Sequence, residues 1–574
     1  MATSIKQLSI FPAVRHPGRA TWLLATILGL ALCLRLYHLD YQNLWLDETL
    51  TWSDSQLPTY WLLRRAALNV HPPGSFLLLK AWTSVFGSSP FVLRLPFVLF
   101  SLLIILGSFA LARRWFSAGT ALLTAMLLAL SPYQVYFAQE VRMYTMATAL
   151  TLGAVLCYLR LRQQASASCV SQTGFCLFFI AALYTHYFTS FILAAVNIDF
   201  LRHYLRAKQR ADEPATTLRR WLRLNAIIAL ACLPWLAFII SYPPTGRVSS
   251  DWRVATTIED GLRQVWNLLF QMTMGYAIYP HELAHALANY RQYPDSAEAR
   301  CYFQHRLMTA GLGMSLMIAV TLKGLWQIRR NGRELLGLFG IPLLLVMLVM
   351  LTWQREMVLS RYLMMISPYF FMMTAAGIVT LRNRWLKALI TAALFVAMSL
   401  SLITYYQNPT REGDYRPIAD LIRREYKTGD LIVVDPAYMD RTLQYYFRQD
   451  ESIWRAVINT DAADTATNYL TVHRSLPRIW LILDYRSELF NMTDTALAEL
   501  WPSYKIHLDQ RLPTPTAKVR LLQLRRLEQE QGLPTAWNQS IFSLRNHAKT
   551  KKTSNQISKI FSAPLQTHSR ATAR

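Results

Sequence analysis

Leu44-Trp45-Leu46-Asp47-Glu48 sets two adjacent carboxylates just after the first long apolar run, Trp22 to Leu36. A carboxylate is costly inside hydrocarbon and ordinary at its edge. An acidic pair at the mouth of an apolar segment is therefore a functional-site candidate, against the plainer reading of a solvated helix end. Other polar clusters stand at the ends of later apolar runs: His71-Pro72-Pro73-Gly74, Glu140-Val141-Arg142-Met143-Tyr144, His186, Arg355-Glu356 and Arg361-Tyr362. Arginine offers phosphate a planar fork that bonds two oxygens. A carboxylate beside it can act as general base on an incoming hydroxyl. Acids and arginines together at a membrane edge suit transfer of a group from a lipid phosphate, with that phosphate as leaving group.

The elements that must position these residues are membrane helices. The chain has 574 residues, of which 53% are hydrophobic and only 16% charged, with 17 Trp. Repeated apolar runs of about 20 residues mark a polytopic membrane protein. The net charge of +25 lies largely in short loops and the C-terminal tail. There it signals topology and gives no ground for a nucleic-acid partner. The six cysteines show neither CxxC spacing nor a disulfide framework. The first apolar run lacks a small-residue cleavage site and reads as an anchor.

Span length and Lys/Arg asymmetry yield an all-α polytopic membrane protein of about 11 transmembrane helices with a C-terminal extracytoplasmic α/β domain. The N-terminus is expected inside and the C-terminus outside. The segment 174–200 is the test. It has basic loops on both sides, so it is expected to cross twice as two short helices with its tip at Tyr184-Thr185-His186-Tyr187. A single tilted helix is the competing reading. Residues 1–409 form the transmembrane domain, with outer loops 39–90 and 242–304. In 410–525, Leu431-Ile432-Val433-Val434 and Ile479-Trp480-Leu481-Ile482-Leu483 read as buried strands of a small α/β domain. Residues 526–574 read as a disordered basic tail; 533–574 hold seven Lys/Arg and no Asp or Glu. With this topology every polar cluster named above falls on the outer face.

Trp45-Leu46-Asp47-Glu48, His71-Pro72-Pro73, Arg94-Leu95-Pro96, Ser131-Pro132, Glu140-Val141-Arg142-Met143-Tyr144 and Arg361-Tyr362, in that order, resemble the type C glycosyltransferases. More narrowly, they are similar to the branch with protein O-mannosyltransferases, aminoarabinose transferases acting on lipid A and bacterial lipopolysaccharide sugar transferases. The resemblance covers about residues 20–405, and Tyr405-Tyr406-Gln407-Asn408-Pro409 and Gly429-Asp430 look like the entry to the outer domain of bacterial members. It implies a membrane glycosyltransferase with a polyprenyl-phosphate-linked sugar donor, an inverting mechanism and a site on the extracytoplasmic face of the inner membrane. Carried over by motif, Asp47 matches the general base and Glu48 its acidic neighbour. Arg142 and Arg361 would hold the phosphate, with Tyr144 and Tyr362 as hydrogen-bond donors, Glu140 beside them and His71 near the headgroup. Some relatives place a basic residue beside the His-Pro-Pro, where this chain has Val70. No resident cofactor is called for. Metal dependence, the sugar and the acceptor, whether lipid, glycan or protein, stay open.

Two other classes compete. His281-Glu282-Leu283-Ala284-His285 fits HExxH, the helix of zinc metalloproteases, with Glu298 and His305 as third-ligand candidates by proximity only. The plain reading is a polar helix in an outer loop. A lipid-linked sugar transporter or flippase would carry charge at mid-bilayer and related halves. Here the charges lie at span ends, and no related halves are evident.

Overall fold

The protein is described from a computed structural model covering residues 18–68, 71–163, 169–209, 217–242, 257–275, 311, 313–326, 333–353, 361–407, 414–435, 439–450, 452–453, 457–459, 478–484, 493, 504–513 and 518–526. The HExxH stretch with Glu298 and His305, the Arg355-Glu356 pair and the tail beyond Arg526 lie outside the described residues.

Among the described residues, six helices are long and apolar enough to cross a membrane. They are α1 (Arg19–Leu36), α5 (Pro90–Trp115), α8 (Tyr144–Gln163), α11 (Leu218–Ser241), α14 (Arg333–Trp353) and α16 (Arg384–Gln407). The pair α6 (Ala118–Leu130) and α7 (Pro132–Ala138), bent by 60°, makes a seventh if counted as one broken span. Shorter apolar helices are α9 (Cys169–Leu183), α13 (Gly313–Trp326) and Met364–Val379, the last a 3-10 turn running into α15 (Ser367–Val379). The chain is thus a mostly helical membrane protein. The segment 174–200 is two helices, α9 and α10 (Thr189–Gln209), broken at the expected Tyr184–Tyr187 tip.

The α6–α7 break shows how the sequence shapes this frame. Pro132 cannot continue α6 and instead opens α7, where Ser131 Oγ accepts from the Gln134 amide at 3.3 Å. That strands the last carbonyls of α6 in an apolar setting, which must be satisfied from within the protein. Arg35 of α1, fully buried, does so: its guanidinium donates to Leu128 O at 3.0 Å and Ala129 O at 3.1 Å, and to Ser101 Oγ at 2.8 Å. Gln139 Nε2, just past α7, donates to the carbonyls of Arg35 at 2.9 Å and Tyr37 at 2.8 Å, which ties the chain before Glu140 to the end of α1.

The loop 39–90 is helical. It folds as α2 (Leu46–Gln56), α3 (Thr59–Leu68) and α4 (Gly74–Phe86). Residues 258–274, inside the expected loop 242–304, form α12 (Ile258–Met274), which exposes Ile258, Leu262 and Trp266 one turn apart. Short amphipathic helices of this kind lack the 20-residue apolar signal by which the spans were placed.

The chain divides into two compact units. The first holds Met1–Glu425, Tyr438–Arg455 and Pro513–Lys518. It therefore includes α17 (Arg416–Glu425) and α18 (Asp440–Tyr446). Helix α18 braces α2: Thr442 and Thr49 hydroxyls lie 2.9 Å apart, Arg441 Nη1 donates to Asp54 Oδ1 at 3.0 Å, and Tyr446 Oη donates to Leu44 O at 3.0 Å. The second unit, Tyr426–Ala437, Ala456–Leu512 and Val519–Arg574, carries a mixed five-stranded sheet. Its strands are β1 (Leu431–Asp435), β2 (Val457–Asn459), β3 (Arg478–Asp484), β4 (Tyr504–Pro513) and β5 (Lys518–Arg526), in the order β2-β1-β3-β5-β4. β1 runs parallel to β2 and β3, and β3 antiparallel to β5. Ile432–Val434 and Ile479–Leu483 are buried, which is why both runs are unbroken apolar.

Candidate active site

Helix α2 presents Asp47 and Glu48 in its first turn, where the unpaired amides favour negative charge. One residue apart, their side chains go to different places. Glu48 is fully buried and meets Arg94, also buried, with Arg94 Nε 2.9 Å from Oε1 and Nη2 2.8 Å from Oε2. Arg94 spends its remaining donors on the carbonyls of Leu39 at 2.7 Å, Gln42 at 3.1 Å and Asn43 at 3.0 Å. Glu48 Oε1 also accepts from the Val141 amide at 3.0 Å. This pair thereby locks the start of α2, the 39–43 turn and the 139–143 turn onto the head of α5. Glu48 has no exposed face from which to reach a substrate, whatever its standing as Asp47's neighbour in the sequence.

Asp47 is 22% exposed, and its Oδ2 lies 3.6 Å from both Arg142 Nη2 and Arg361 Nη1. Arg142 is buried and held on several sides: Nη1 donates to Thr51 Oγ1 at 3.1 Å, and Nη2 lies 3.0 Å from His71 Nε2. Guanidinium only donates, so His71 Nε2 accepts and its ring proton sits on Nδ1. Burial, with Arg142, His186 and Arg361 nearby, holds the His71 pKa well below the ordinary imidazole value. The ring is neutral at neutral pH.

His71 reaches Arg142 because its loop packs backbone to backbone against the α9–α10 turn. Gly74 N donates to Tyr184 O at 2.7 Å, and a Cβ on Gly74 would lie 2.6 Å from that oxygen. The His-Pro-Pro-Gly motif thus ends in glycine for a steric reason. The contact brings the His71 and His186 rings to 6.0 Å. Tyr362 closes the group, 6.3 Å from His71, 5.5 Å from His186 and 6.3 Å from Tyr144 between ring centroids, with the Arg361 guanidinium 5.4 Å from the centre of its ring.

The structure therefore gathers Asp47, His71, Arg142, Tyr144, Arg361 and Tyr362 in one place. Glu140 is buried at its edge, its carbonyl accepting from the Arg142 amide at 2.8 Å. Among the described residues, Arg142 Nε and the Tyr144 hydroxyl are buried without hydrogen-bond partners. Leaving such groups unsatisfied away from water costs about 1–3 kcal/mol each. Donors kept in that state around a carboxylate fit an anionic ligand. Arg94 and Thr51 were given no role in the site from sequence, and His186 was named only as a polar residue at the tip of a helical hairpin. Arg94 carried a signal, as an ionisable residue near the start of an apolar run. Thr51 carried a weaker one, four residues on from Asp47 on the same helix face. Among the described residues no group of three or more His, Cys, Asp or Glu could hold a metal ion.

Fold and site define a polytopic helical membrane protein with an acid–arginine centre at the ends of its helices. Residues 70–238 match the family model described as dolichyl-phosphate-mannose-protein mannosyltransferase. The fold is similar to that of ArnT from Cupriavidus metallidurans in the apo state, at TM-score 0.55 and 13% identity, over 88% of this chain and 98% of that one. The same protein bound to undecaprenyl phosphate aligns at TM-score 0.55 and 14% identity, over 90% of this chain and all (100%) of that one. No curated protein matches the chain by sequence. The resemblance to type C glycosyltransferases of the protein mannosyltransferase branch is borne out by the family model and the shared fold.

Proposed function

We propose that this chain is an integral membrane glycosyltransferase that moves a sugar from a polyprenyl-phosphate donor to an acceptor at the extracytoplasmic face of the inner membrane. The observation that carries the reading is the Asp47 carboxylate held 3.6 Å from two arginines. The mannosyltransferase model over 70–238 and the ArnT-like fold support it. Nothing among the described residues favours a zinc protease or a flippase.

In the mechanism, an acceptor hydroxyl or amine attacks the anomeric carbon from the face opposite the phosphate. Asp47 takes its proton as the new bond forms. The bond from the anomeric carbon to phosphate oxygen breaks, the configuration inverts, and polyprenyl phosphate departs with the electron pair. Arg142 and Arg361 stabilise the charge that grows on the leaving phosphate, an electrostatic task best done where water is scarce. Tyr144 and Tyr362 border the same oxygens. His71 orients Arg142. Glu48 and Arg94 position the helix that carries Asp47.

This reading takes the six long helices, the bent pair, the three shorter apolar helices and α10 as eleven crossings; six or seven of them are long and apolar enough by themselves. The N-terminus lies inside, and the C-terminal α/β region lies on the extracytoplasmic side, where it recognises or gates the acceptor. Reporter fusions at residues 210 and 290 test the topology and should report opposite compartments. The activity test is Asp47→Asn in purified protein given a polyprenyl-phosphate sugar. Transfer at the wild-type rate would remove the mechanism.

A further inference from the structure

His186 and His71 are both buried, 4% and 6% exposed, with rings 6.0 Å apart, yet they are wired in opposite senses. His71 Nε2 faces Arg142 Nη2 at 3.0 Å and must accept, so its hydrogen-bonding capacity toward the site is spent on that arginine. His186 Nδ1 accepts from the Phe188 amide at 3.2 Å, which puts the ring proton on Nε2. That Nε2 is buried and, among the described residues, has no partner. Burial and the charge of Arg142 push the His186 pKa down to about 3, so the ring is neutral. It is a donor with one fixed proton and no use for it inside the fold.

Its surroundings say what would use it. The His186 ring stands 6.0 Å from Tyr144 and 5.5 Å from Tyr362. Three buried groups from two parts of the chain, His186 Nε2 and, two residues apart, Arg142 Nε and the Tyr144 hydroxyl, share the lack of a partner among the described residues. Each of them can donate, and only an acceptor-rich group answers all three. The turn that carries His186 is fixed by Gly74 N donating to Tyr184 O at 2.7 Å and by Thr189 Oγ1 donating to His186 O at 2.7 Å. The donor is thus held in place before any ligand arrives.

We propose that His186 donates its Nε2–H to a non-bridging oxygen of the polyprenyl phosphate, beside Arg142, and that His71 serves only to orient that arginine. This rests on the reading of the site as a polyprenyl-phosphate transferase and adds a ligand to it.

The test is binding of polyprenyl phosphate and of polyprenol to purified full-length protein, with inorganic phosphate as competitor, for the wild type and for His186→Phe, His186→Gln and His71→Gln. Glutamine keeps an N–H near the Nε2 position and phenylalanine does not. His186→Phe should weaken polyprenyl phosphate binding about 10- to 100-fold, as loss of a hydrogen bond to a charged group does. Polyprenol binding should not change, and donor KM should rise more than kcat falls. His186→Gln should recover most of the affinity. His71→Gln, which can still accept from Arg142, should lose less affinity than His186→Phe and should not be selective for phosphate over polyprenol. Equal loss in the Phe and Gln variants, or none in His186→Phe, overturns the proposal and leaves the functional reading standing. A wild type that binds polyprenol as tightly as polyprenyl phosphate overturns both. Inorganic phosphate that binds more tightly than the lipid overturns the lipid headgroup as the ligand.

Discussion

Asp47 and Glu48 are neighbours on one helix and belong to two different kinds of charge cluster. Around Glu48 every hydrogen-bonding group of Arg94 is used, both residues are buried, and the partners are backbone carbonyls of the 39–43 turn and an amide of the 139–143 turn. Around Asp47 the carboxylate is partly exposed, its arginines stand 3.6 Å off, and buried donors nearby lack partners. A cluster at the far end of α8 is of the first kind. There Arg162 donates to Asp199 at 3.0 Å and pairs with Glu334 at 2.7 Å, while Tyr158 donates to the same Asp199 oxygen at 2.7 Å, tying α8 to α10 and α14. A satisfied network sets geometry, because breaking it costs more than its members are worth separately. A network with donors to spare has something left to give a ligand. Charge alone does not separate the two; hydrogen-bond accounting does.

That contrast can be broken from either side. The largest effect is expected at Asp47. Asp47→Asn should lower kcat about 100- to 10,000-fold, the usual worth of a positioned general base, with the thermal unfolding midpoint in detergent little changed. Arg142→Lys should follow at about 100- to 1,000-fold in kcat, since a point charge does not replace the fork that meets Thr51 and His71 and, in the proposed mechanism, phosphate. Glu48→Gln or Arg94→Met should instead cost about 3–5 kcal/mol of stability by leaving one buried charge alone, read as loss of folded yield and melting temperature. An Asp47→Asn protein that unfolds like Glu48→Gln would erase the distinction. Gly74→Ala should cost about 1–3 kcal/mol by driving a methyl into Tyr184 O, and should raise donor KM through the displaced turn.

The smallest effect is in pH. The His71 pKa is depressed in the folded state, so its contribution to stability is complete above the unfolded value near 6.5 and is lost progressively as pH falls from there toward the folded value. His71→Gln should flatten that acid limb in a melting-temperature profile between about pH 6.5 and 5. An unchanged limb would place the titration elsewhere.

Much of this was legible in the chain. Apolar length located the spans because hydrocarbon thickness dictates it, and the break at 184–187 followed from basic loops on both sides of one apolar segment. Asp47, Arg142, Arg361 and Tyr362 were legible because charge and phosphate chemistry at a membrane edge are uncommon without a use. The helices of the 39–90 loop were not, since short amphipathic turns carry little periodic signal against a membrane-protein background. Neither was the place of 440–446, whose packing on α2 spans almost 400 residues of sequence.

That this is a membrane protein with acids and arginines at helix ends can be read from the chain alone, because those properties belong to residue types and to the length of apolar runs. It took the folded chain to show that Asp47 faces the arginines while Glu48 turns to Arg94, that His71 and His186 carry their ring protons on opposite nitrogens, and that Gly74 must lack a side chain. Each of those depends on which atom meets which across segments distant in the chain, and no spacing along one strand of sequence encodes it.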